Sequence, residues 1–529
     1  MKPLTDKVDE LFAEWDKPDS PGCALGIIKN GKLVYKRGYG MANLEHNIPI
    51  SSTTVFRIAS TSKQFTTMSI LLLAEQGKIS LDDDIRKYVS KMPEYEDPIT
   101  IRHLIHHTSG IRDYLELMEL AGMSDHDYYT DDEAVEMLAR QKELNFKTGD
   151  EYLYSNSGYF LLSVIVRRAS GKSLREFAEE NIFKPLGMKN THFHDDHTMI
   201  VKNRATGYSP REDSGYRINM TTLDMVGDGG LLTTVEDLFL WDQNFYHNKL
   251  GGKDLINQLL TPGRLNNGEK LNYAFGLGVG DYRGLKMVSH AGSFVGFRAQ
   301  MIRFPEQRFS VICLANLSTF NPTKLCKQVA DLYLAEEFKQ EKPKFIQLHE
   351  QEFKDKTGTF RDSKTGAICE LSVKDGKLMV NLSDTSFQIA ALSKMRFRSV
   401  GELFDTDIQF EKQDQNRPLL MHVKVEGEKP VIFEAIRVVS PTPAQLAEYA
   451  GDYYSDELQF THKLVLEDGK LFFRHRNAPK KPLSPTLRDM FKVSYVTIHF
   501  IRDEQNKISG FTLSSEGARK IRSVRKTVE

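Results

Sequence analysis

Ser60-Thr61-Ser62-Lys63 directly follows residues 56–59. It begins a segment in which apolar residues recur with helical spacing. On a helix, residues three apart share a face, so the Ser60 hydroxyl and the Lys63 amine are predicted to lie close together. A hydroxyl beside an amine is what a serine nucleophile with a basic partner requires. Alone, the pattern is weak evidence, because Ser523 and Lys526 have the same spacing near the end of the chain.

A second group of candidate residues is Tyr154-Ser155-Asn156, about 90 residues after the first. A tyrosine phenol can carry a proton to or from a serine or a leaving group. An asparagine amide can both donate a hydrogen bond to a substrate amide and accept one from it. The segment therefore adds two groups suited to acyl-transfer chemistry.

The third group is His290-Ala291-Gly292-Ser293, which follows a predicted strand at residues 286–289. Small residues at a strand edge allow a substrate to lie along the backbone. The N–H groups of Ser60 and Ser293 are predicted to form an oxyanion hole, with Gly292 beside it.

In this order, the three groups resemble the signature of the serine β-lactamase and penicillin-binding protein superfamily. Residues 104–111, 229–238 and 273–278 also resemble segments of that superfamily, and the resemblance covers residues 20–335. It implies an α/β (α+β) catalytic domain of the β-lactamase/transpeptidase type, with an antiparallel sheet and a helical insertion.

The resemblance also implies a role for each candidate residue. Ser60 would attack a carbonyl carbon, and Lys63 and Tyr154 would remove its proton and protonate the leaving group. Which of the two is the base stays open. Asn156 would orient the substrate amide, and His290 would hydrogen-bond near Tyr154 or the leaving group.

The residue at position 290 separates branches of the superfamily. Class C β-lactamases and D-alanyl-D-alanine carboxypeptidases usually carry lysine there, which suits a substrate carboxylate. His290 is similar to the histidine of D-aminopeptidases, D-amino-acid amidases and some esterases. The implied function is a D-aminopeptidase-like peptidase. The alternatives are a carboxylesterase, a β-lactamase- or DD-peptidase-like acylase, and a non-catalytic penicillin-binding sensor.

The part of the chain after residue 345 contains an internal repeat of strand-like segments. Gly358 recurs as Gly451, and residues 371–378 recur as residues 464–471, both at an offset of 93 residues. A fixed offset indicates two copies of one unit. Each copy has the length of a small antiparallel, lipocalin-like β-barrel.

These observations predict three domains. They are a catalytic domain at residues 1–340 and barrel domains at residues 345–440 and 441–529. Such a chain resembles the three-domain D-aminopeptidases, in which a loop of the last barrel restricts the substrate. Residues 474–482 are a candidate for that loop, and a structural or interaction role for the repeats is the alternative.

Composition limits the remaining possibilities. The 529 residues carry 71 Lys and Arg against 72 Asp and Glu, a formal charge of −1, which argues against a nucleic-acid partner. We expect no membrane span, because no apolar run approaches the required length of ~20 residues. The N-terminus lacks a signal-peptide core, so a cytoplasmic location is expected. The residues indicate no metal and no cofactor. The expected partner is a small peptide, amide or ester, and a homodimer is one open alternative.

Overall fold

The computed structural model describes residues 2–124, 126–382, 385–400, 405–412, 417–425, 429–474 and 479–526. The chain forms two compact units, each with its own hydrophobic core. The first comprises Met1–Ile111, Asp125–Glu136 and Phe146–Lys342. The second comprises Arg112–Ser124, Met137–Asn145 and Pro343–Glu529.

The helices are concentrated in the first two thirds of the chain. In chain order they are α1 (Leu4–Phe12), α2 (Lys63–Glu75), α3 (Ile101–Ile105), α4 (Tyr114–Leu120), α5 (Asp131–Ala139), α6 (Asn156–Ser170), α7 (Leu174–Ala178), α8 (Lys184–Leu186), α9 (Val235–His247), α10 (Gly252–Leu259), α11 (Pro322–Tyr333) and α12 (Pro443–Ala447). In the described part of the chain, none of them has the length and apolar character needed to cross a membrane.

The strands of the first unit form one large sheet and three small ones. They are β1 (Cys23–Lys29), β2 (Lys32–Tyr39), β3 (Met41–Asn43), β4 (Ile48–Pro49), β5 (Phe56–Arg57), β6 (His192–Phe193), β7 (Tyr208–Pro210), β8 (Tyr216–Ile218), β9 (Leu231–Thr233), β10 (Gly278–Tyr282), β11 (Leu285–Phe294), β12 (Phe297–Phe304) and β13 (Phe309–Ala315). The large sheet is antiparallel, with the order β10-β11-β12-β13-β1-β2.

Helices cover both faces of the large sheet, which explains why its central strands are buried along nearly their whole length. On one face, α1 and α11 enclose a core that includes Phe12, Ile27, Phe304 and Val329. On the other face, Val235 of α9 packs against β1 at Gly26. A Cβ at Gly26 would lie 2.4 Å from the Val235 side chain, so this contact requires a glycine. The antiparallel sheet and its helices are the predicted β-lactamase-type domain.

Two local features of this sheet relate directly to the sequence. The Asn30-Gly31 turn joins β1 to β2, and both of its residues have positive φ, as a two-residue hairpin turn requires. The strand predicted to end before His290 is longer than expected, because β11 continues to Phe294. The third motif therefore lies within a paired strand rather than beyond its end.

In the second unit, strands β14 to β21 form a closed antiparallel barrel. They are β14 (Gly358–Asp362), β15 (Ile368–Lys374), β16 (Lys377–Leu382), β17 (Thr385–Ala391), β18 (Arg396–Ser399), β19 (Thr406–Glu411), β20 (Leu420–Val425) and β21 (Val431–Ile436). Alternate residues along these strands fill the interior, among them Phe360, Val380, Phe397 and Met421.

A nine-stranded antiparallel sheet follows the barrel. Its strands are β22 (Gly451–Ser455), β23 (Phe460–Glu467), β24 (Lys470–Arg474), β25 (Lys481–Pro482), β26 (Ser484–Leu487), β27 (Met490–Val493), β28 (Val496–Arg502), β29 (Ile508–Ser514) and β30 (Ile521–Arg525). Its two outermost strands, β25 and β26, are consecutive in the chain, so the sheet curls into a nearly closed barrel. The two predicted β-barrels are therefore present. The division at residues 340, 345 and 440 stays a prediction.

Two segments from the first third of the chain also belong to the second unit. Residues 112–124, which contain α4, and residues 137–145 cluster with the nine-stranded sheet. Arg112 pairs with Glu457, and Asn145 exchanges hydrogen bonds with Gly517 and Arg519. Polar contacts between residues more than 300 positions apart explain why the sequence pattern did not reveal this arrangement.

Candidate active site

Ser60 lies in the 3₁₀ turn Ala59–Ser62, which leads directly into α2. Lys63 is the first residue of α2, and no part of its side chain is exposed to solvent. Its Nζ lies 3.0 Å from the Ser60 Oγ. The proximity predicted from the helical spacing is therefore present.

Two further oxygen atoms hold the Lys63 amine in place. Nζ donates to the Asn156 Oδ1 at 3.0 Å and to the carbonyl oxygen of Asp228 at 2.6 Å. It also lies over the Tyr154 and Tyr159 rings, at 4.8 and 5.4 Å from their centroids. Asn156 begins α6, so the start of a second helix reaches the same amine. The first two motifs thus meet at one nitrogen atom.

The Tyr154 ring lies beside the Lys63 amine, and its phenol interacts with the Ser60 hydroxyl. Burial raises the pKa of Tyr154 well above its usual value, and the interaction with Ser60 opposes this only in part. The phenol is therefore protonated at neutral pH. It is suited to give a proton to a neighbouring oxygen or nitrogen rather than to hold a negative charge.

A loop that contains His107 supports the Tyr154 segment from behind. The His107 ring lies against the Tyr154 ring, with 4.4 Å between the centroids. Its Nδ1 accepts a hydrogen bond from the Ser155 N–H at 3.1 Å, and its carbonyl oxygen accepts one from the Leu153 N–H at 3.0 Å. Burial, followed by the charge on Lys63, holds the pKa of His107 well below its usual value. A neutral imidazole thus positions Tyr154.

The contacts of His290 define its tautomer. Nδ1 lies 2.6 Å from the Ala291 carbonyl oxygen, which can only accept, so Nδ1 carries the proton. Burial, and then the charge on Lys63, lower the pKa of His290 to about 3, so the ring is neutral and Nε2 is an acceptor. The Tyr273 hydroxyl, 3.0 Å away, therefore donates to Nε2. His290 hydrogen-bonds Tyr273, while its ring centroid lies 6.4 Å from that of Tyr154.

Gly292 allows β11 to pass close to the turn that carries Ser60. A Cβ at this position would lie 2.1 Å from the Ile58 carbonyl oxygen and 3.0 Å from the Thr61 Oγ1. Thr61 in turn donates to the His290 carbonyl oxygen at 3.3 Å. The third motif thus lies beside the first, and this contact requires a residue without a side chain.

Comparison with known proteins agrees with this geometry. Residues 8–333 match the Beta-lactamase family. The chain belongs to the Beta-lactamase family. It is thus a member of a serine-hydrolase superfamily, and the fold described above is that of the family.

Individual relatives of this Beta-lactamase family chain share modest identity with it. A penicillin-binding protein of Bacillus subtilis is 32% identical over 305 residues, covering 54% of this chain and 66% of that protein. A D-aminopeptidase of Brucella canis is 26% identical over 460 residues, covering 85% of this chain and 82% of that enzyme. An octameric penicillin-binding protein homologue from Pyrococcus abyssi superposes with a TM-score of 0.58 at 26% identity, covering 82% of this chain and 99% of that one. The chain thus spans just under two thirds of the Bacillus protein.

Besides His107, three residues of this site were not among the candidates. Asp228 contributes a backbone carbonyl, and Tyr159 and Tyr273 contribute aromatic rings and hydroxyls. Asp228 immediately precedes the segment at residues 229–238, and Tyr273 begins the segment at residues 273–278. Both segments resemble the superfamily in sequence, so closeness to them could have identified these two residues.

Other candidates remain predictions. Ser293 is exposed on β11 opposite Arg298, and its part in an oxyanion hole stays a prediction. The candidate gating loop at residues 474–482 contains residues 475–478, which lie outside the described residues. Within the described residues, no cluster of three or more His, Cys, Asp or Glu side chains could hold a metal ion.

Proposed function

We propose that this chain is a serine hydrolase that forms a covalent acyl-enzyme at Ser60 and releases N-terminal D-residues from peptides or amides. The observation that carries the proposal is the buried Lys63 Nζ at 3.0 Å from the Ser60 Oγ, with the Tyr154 phenol near the same hydroxyl. Two groups able to transfer protons therefore adjoin one nucleophile.

Lys63 is the better candidate for the base. In the resting site the charged Lys63 amine donates to the Ser60 Oγ. We propose that it loses one proton to solvent before the reaction. The neutral amine then keeps two N–H donors for Asn156 and the Asp228 carbonyl and turns its lone pair to the Ser60 hydroxyl. The raised pKa of Tyr154 leaves no phenolate at neutral pH to perform this step. In the proposed mechanism, Lys63 accepts the hydroxyl proton as Ser60 Oγ bonds to the substrate carbonyl carbon.

Tyr154 is the proposed acid for the leaving group. As the tetrahedral intermediate collapses, the carbon–nitrogen bond breaks and the amine nitrogen takes the phenol proton. The Lys63 ammonium, whose Nζ lies over the Tyr154 ring, then returns a proton to the phenolate oxygen. Water then attacks the ester carbon, gives a proton to Lys63, and releases the acid and the free Ser60 hydroxyl. No electron donor or acceptor is needed, and the protons balance over the cycle.

The substrate class follows from the charge near β11. His290 is neutral where related enzymes carry a lysine, so this position offers no fixed cation for a substrate carboxylate. A substrate whose amine end enters the site is thus tolerated better than one that presents a carboxylate there. The Brucella D-aminopeptidase, matched over 85% of this chain, supports the same choice.

The first experiment compares release of p-nitroaniline from D-alanine p-nitroanilide and from its L-isomer. We expect D-selective release that Ser60→Ala abolishes. Ser523→Ala is the matched control, because Ser523 has the same spacing to a lysine but lies in β30. Equal rates for the two isomers would refute D-selectivity, and full activity of Ser60→Ala would refute the nucleophile.

A second experiment separates the base from the acid. A p-nitrophenolate leaving group needs no proton, whereas a p-nitroanilide nitrogen does. Tyr154→Phe should therefore retain turnover of a p-nitrophenyl ester and lose that of the anilide, while Lys63→Met loses both. Lys526→Met is the control, since Lys526 is exposed. Loss of both activities in Tyr154→Phe, with loss of the anilide activity alone in Lys63→Met, would reverse the roles.

Assays of the unaltered chain with other substrates test the second candidate function, an acylase of the penicillin-binding type. The 32% identity to the Bacillus protein favours this function. A chromogenic cephalosporin hydrolysed at Ser60 without anilide release would support that function. Labelling of Ser60 with no turnover of any substrate would instead support a penicillin sensor.

A further inference from the structure

The hairpin that joins β11 to β12 has the two-residue turn Val295-Gly296, because Phe294 and Phe297 are paired directly before and after it. Val295 has a φ of +43°, whereas the φ of Gly296 is not positive. This is the pattern of a type II′ turn, whose first central position normally takes glycine. A β-branched residue with a positive φ is strained. The turn at the end of β11 therefore carries backbone strain at Val295.

Packing fixes the glycine at the second position of this turn. The Gly296 N–H donates to the Asn219 carbonyl oxygen at 3.0 Å. A Cβ at Gly296 would lie 2.4 Å from the Tyr208 backbone nitrogen and 2.7 Å from the Asn219 carbonyl oxygen, so no other residue fits there. The order Val-Gly therefore cannot be reversed, and the positive φ stays at Val295.

Arg298, the second residue of β12, binds this turn through its side chain. Its Nη1 donates to the Val295 carbonyl oxygen at 3.0 Å and to the Phe297 carbonyl oxygen at 2.7 Å. The Val295 carbonyl belongs to the peptide that joins the two turn residues, so this bond fixes the orientation of that peptide. Among the described residues Arg298 pairs with no carboxylate, and burial lowers its pKa to about 10, which leaves it charged at neutral pH. The turn carbonyls thus accept charge-assisted hydrogen bonds, which are stronger than neutral ones.

The geometry of the hairpin sets the direction of the Ser293 N–H. Phe294 is paired with Phe297 across the turn, and Ser293 is paired with Arg298. The residues next to a two-residue turn form a hydrogen-bonded pair, and the following pair is not hydrogen-bonded. The Ser293 N–H therefore points away from β12, at the edge of β11 beyond Ser289, the last residue on that side in register with β10. A different turn conformation would change the direction of this N–H.

We propose that Arg298 is a positioning residue of the active site, which holds the strained Val295-Gly296 turn so that the Ser293 N–H faces the developing oxyanion. The inference rests on the proposed function, because an oxyanion forms only when Ser60 attacks a carbonyl carbon. Gly292 already places this end of β11 against the turn that carries Ser60. Arg298 therefore acts through the backbone of the hairpin and needs no contact with the substrate.

A double-mutant cycle on hydrolysis of D-alanine p-nitroanilide tests this role. Arg298→Met should lower kcat about tenfold to a hundredfold and change KM little, because a misplaced oxyanion donor weakens the transition state more than substrate binding. Val295→Gly should change kcat by less than about threefold, since glycine takes a positive φ without strain. The double variant should then recover most of the loss seen in Arg298→Met, because an unstrained turn does not need to be held.

Two further variants separate the turn from the charge. A single nitrogen of Arg298 makes both bonds, so the amine of Arg298→Lys can replace it and should keep more activity than Arg298→Met. Activity in Arg298→Lys without any recovery in the double variant would show that the charge acts directly, and would overturn the proposal. Arg283→Met is the matched control, because Arg283 lies at the other end of β11 and pairs with Asp331 at 2.6 Å. It should leave kcat unchanged.

Amide hydrogen–deuterium exchange gives a second readout that does not depend on the substrate. Exchange over residues 290–298 should be faster in Arg298→Met and should return to the rate of the unaltered chain in the double variant. If Arg298→Met does not fold, Arg298→Gln takes its place in both measurements. Unchanged exchange would overturn the proposal even if the anilide is hydrolysed. The expected exchange in a chain that hydrolyses no substrate would support the role of Arg298 in the turn and refute the proposed function.

Discussion

The Lys63 amine donates a 2.6 Å hydrogen bond to the backbone carbonyl of Asp228, a residue 165 positions further along the chain. The loop that presents this carbonyl depends on Gly227, whose φ of +109° is in the region that side chains rarely adopt. A Cβ there would also lie 2.5 Å from the Tyr159 carbonyl oxygen. The orientation of the amine therefore depends on a glycine that makes no contact with it.

Replacing Gly227 by alanine should displace the Asp228 carbonyl and lower kcat/KM. Backbone strain of about 1–3 kcal/mol corresponds to a loss of about tenfold to a hundredfold if it falls on the placement of Lys63. Gly229→Ala is the matched control, because a Cβ there would be 3.7 Å from its nearest neighbour in Ala59. Equal kinetics for the two variants would contradict this account of the loop.

The neutral state of His290 predicts the shape of the pH profile. Because its pKa is lowered to about 3, kcat/KM should show no ionisation of His290 between pH 5 and 7. His290→Asn should lower the rate without changing the profile in that range. Tyr273→Phe, which removes the donor to the same ring nitrogen, should likewise leave it unchanged. An acidic limb near pH 6.5 that disappears in His290→Asn would show that the ring titrates in this range and would contradict its lowered pKa.

The buried pair between Arg112 and Glu457 predicts a large effect on stability. Their atoms approach to 2.6 Å, and the side chains are only 1% and 7% exposed. Arg112→Met leaves the Glu457 carboxylate buried and should lower the free energy of unfolding by about 3–5 kcal/mol. The double variant with Glu457→Gln should recover part of this loss, as measured by urea unfolding.

The neighbouring pair Lys142–Asp456 is the natural control. Both of its side chains are more than half exposed, so water and salt already screen the interaction. Lys142→Met should therefore change the free energy of unfolding by less than about 1 kcal/mol. A similar loss in the exposed and the buried variant would mean that the Arg112–Glu457 contact does not form.

Glu116 predicts how stability depends on pH. Burial, and then the charge on Asp113, raise its pKa from 4.5 to about 8, although Ser515 and the Gly517 N–H hydrogen-bond its carboxyl group. Between these values the folded state holds a proton that the unfolded chain has lost. The contribution of Glu116 to the free energy of unfolding is therefore complete below pH 4.5. It decreases as pH rises from 4.5 towards 8, by up to about 1.4 kcal/mol per pH unit.

Urea unfolding of Glu116→Gln at pH 5, 6.5 and 8 tests this sign. The variant should lose that part of the pH dependence and be more stable than the unaltered chain at pH 8. Glu119→Gln, an exposed residue of the same helix, should behave like the unaltered chain. A stability of the unaltered chain that increases between pH 5 and 8, in parallel with Glu116→Gln, would refute the raised pKa.

Much of the site was predictable because its motifs are local. The proximity of Ser60 and Lys63 follows from helical geometry, and the repeat after residue 345 follows from a constant offset. The order of the three motifs was enough to identify the fold class and the serine-hydrolase superfamily. Each of these inferences needs only residues that are near in sequence, or a pattern that recurs along the chain.

The tertiary structure decided what depends on distant contacts. The sequence by itself determined which residues could react, but not that the Asp228 carbonyl holds Lys63 or that His290 is bonded to Tyr273. Nor did it show that residues 112–124 and 137–145 cluster with the last β-sheet. Backbone carbonyls are the same in every residue, and burial sets which groups are charged. The tertiary fold therefore decides which carbonyl binds a given donor and which groups carry a charge.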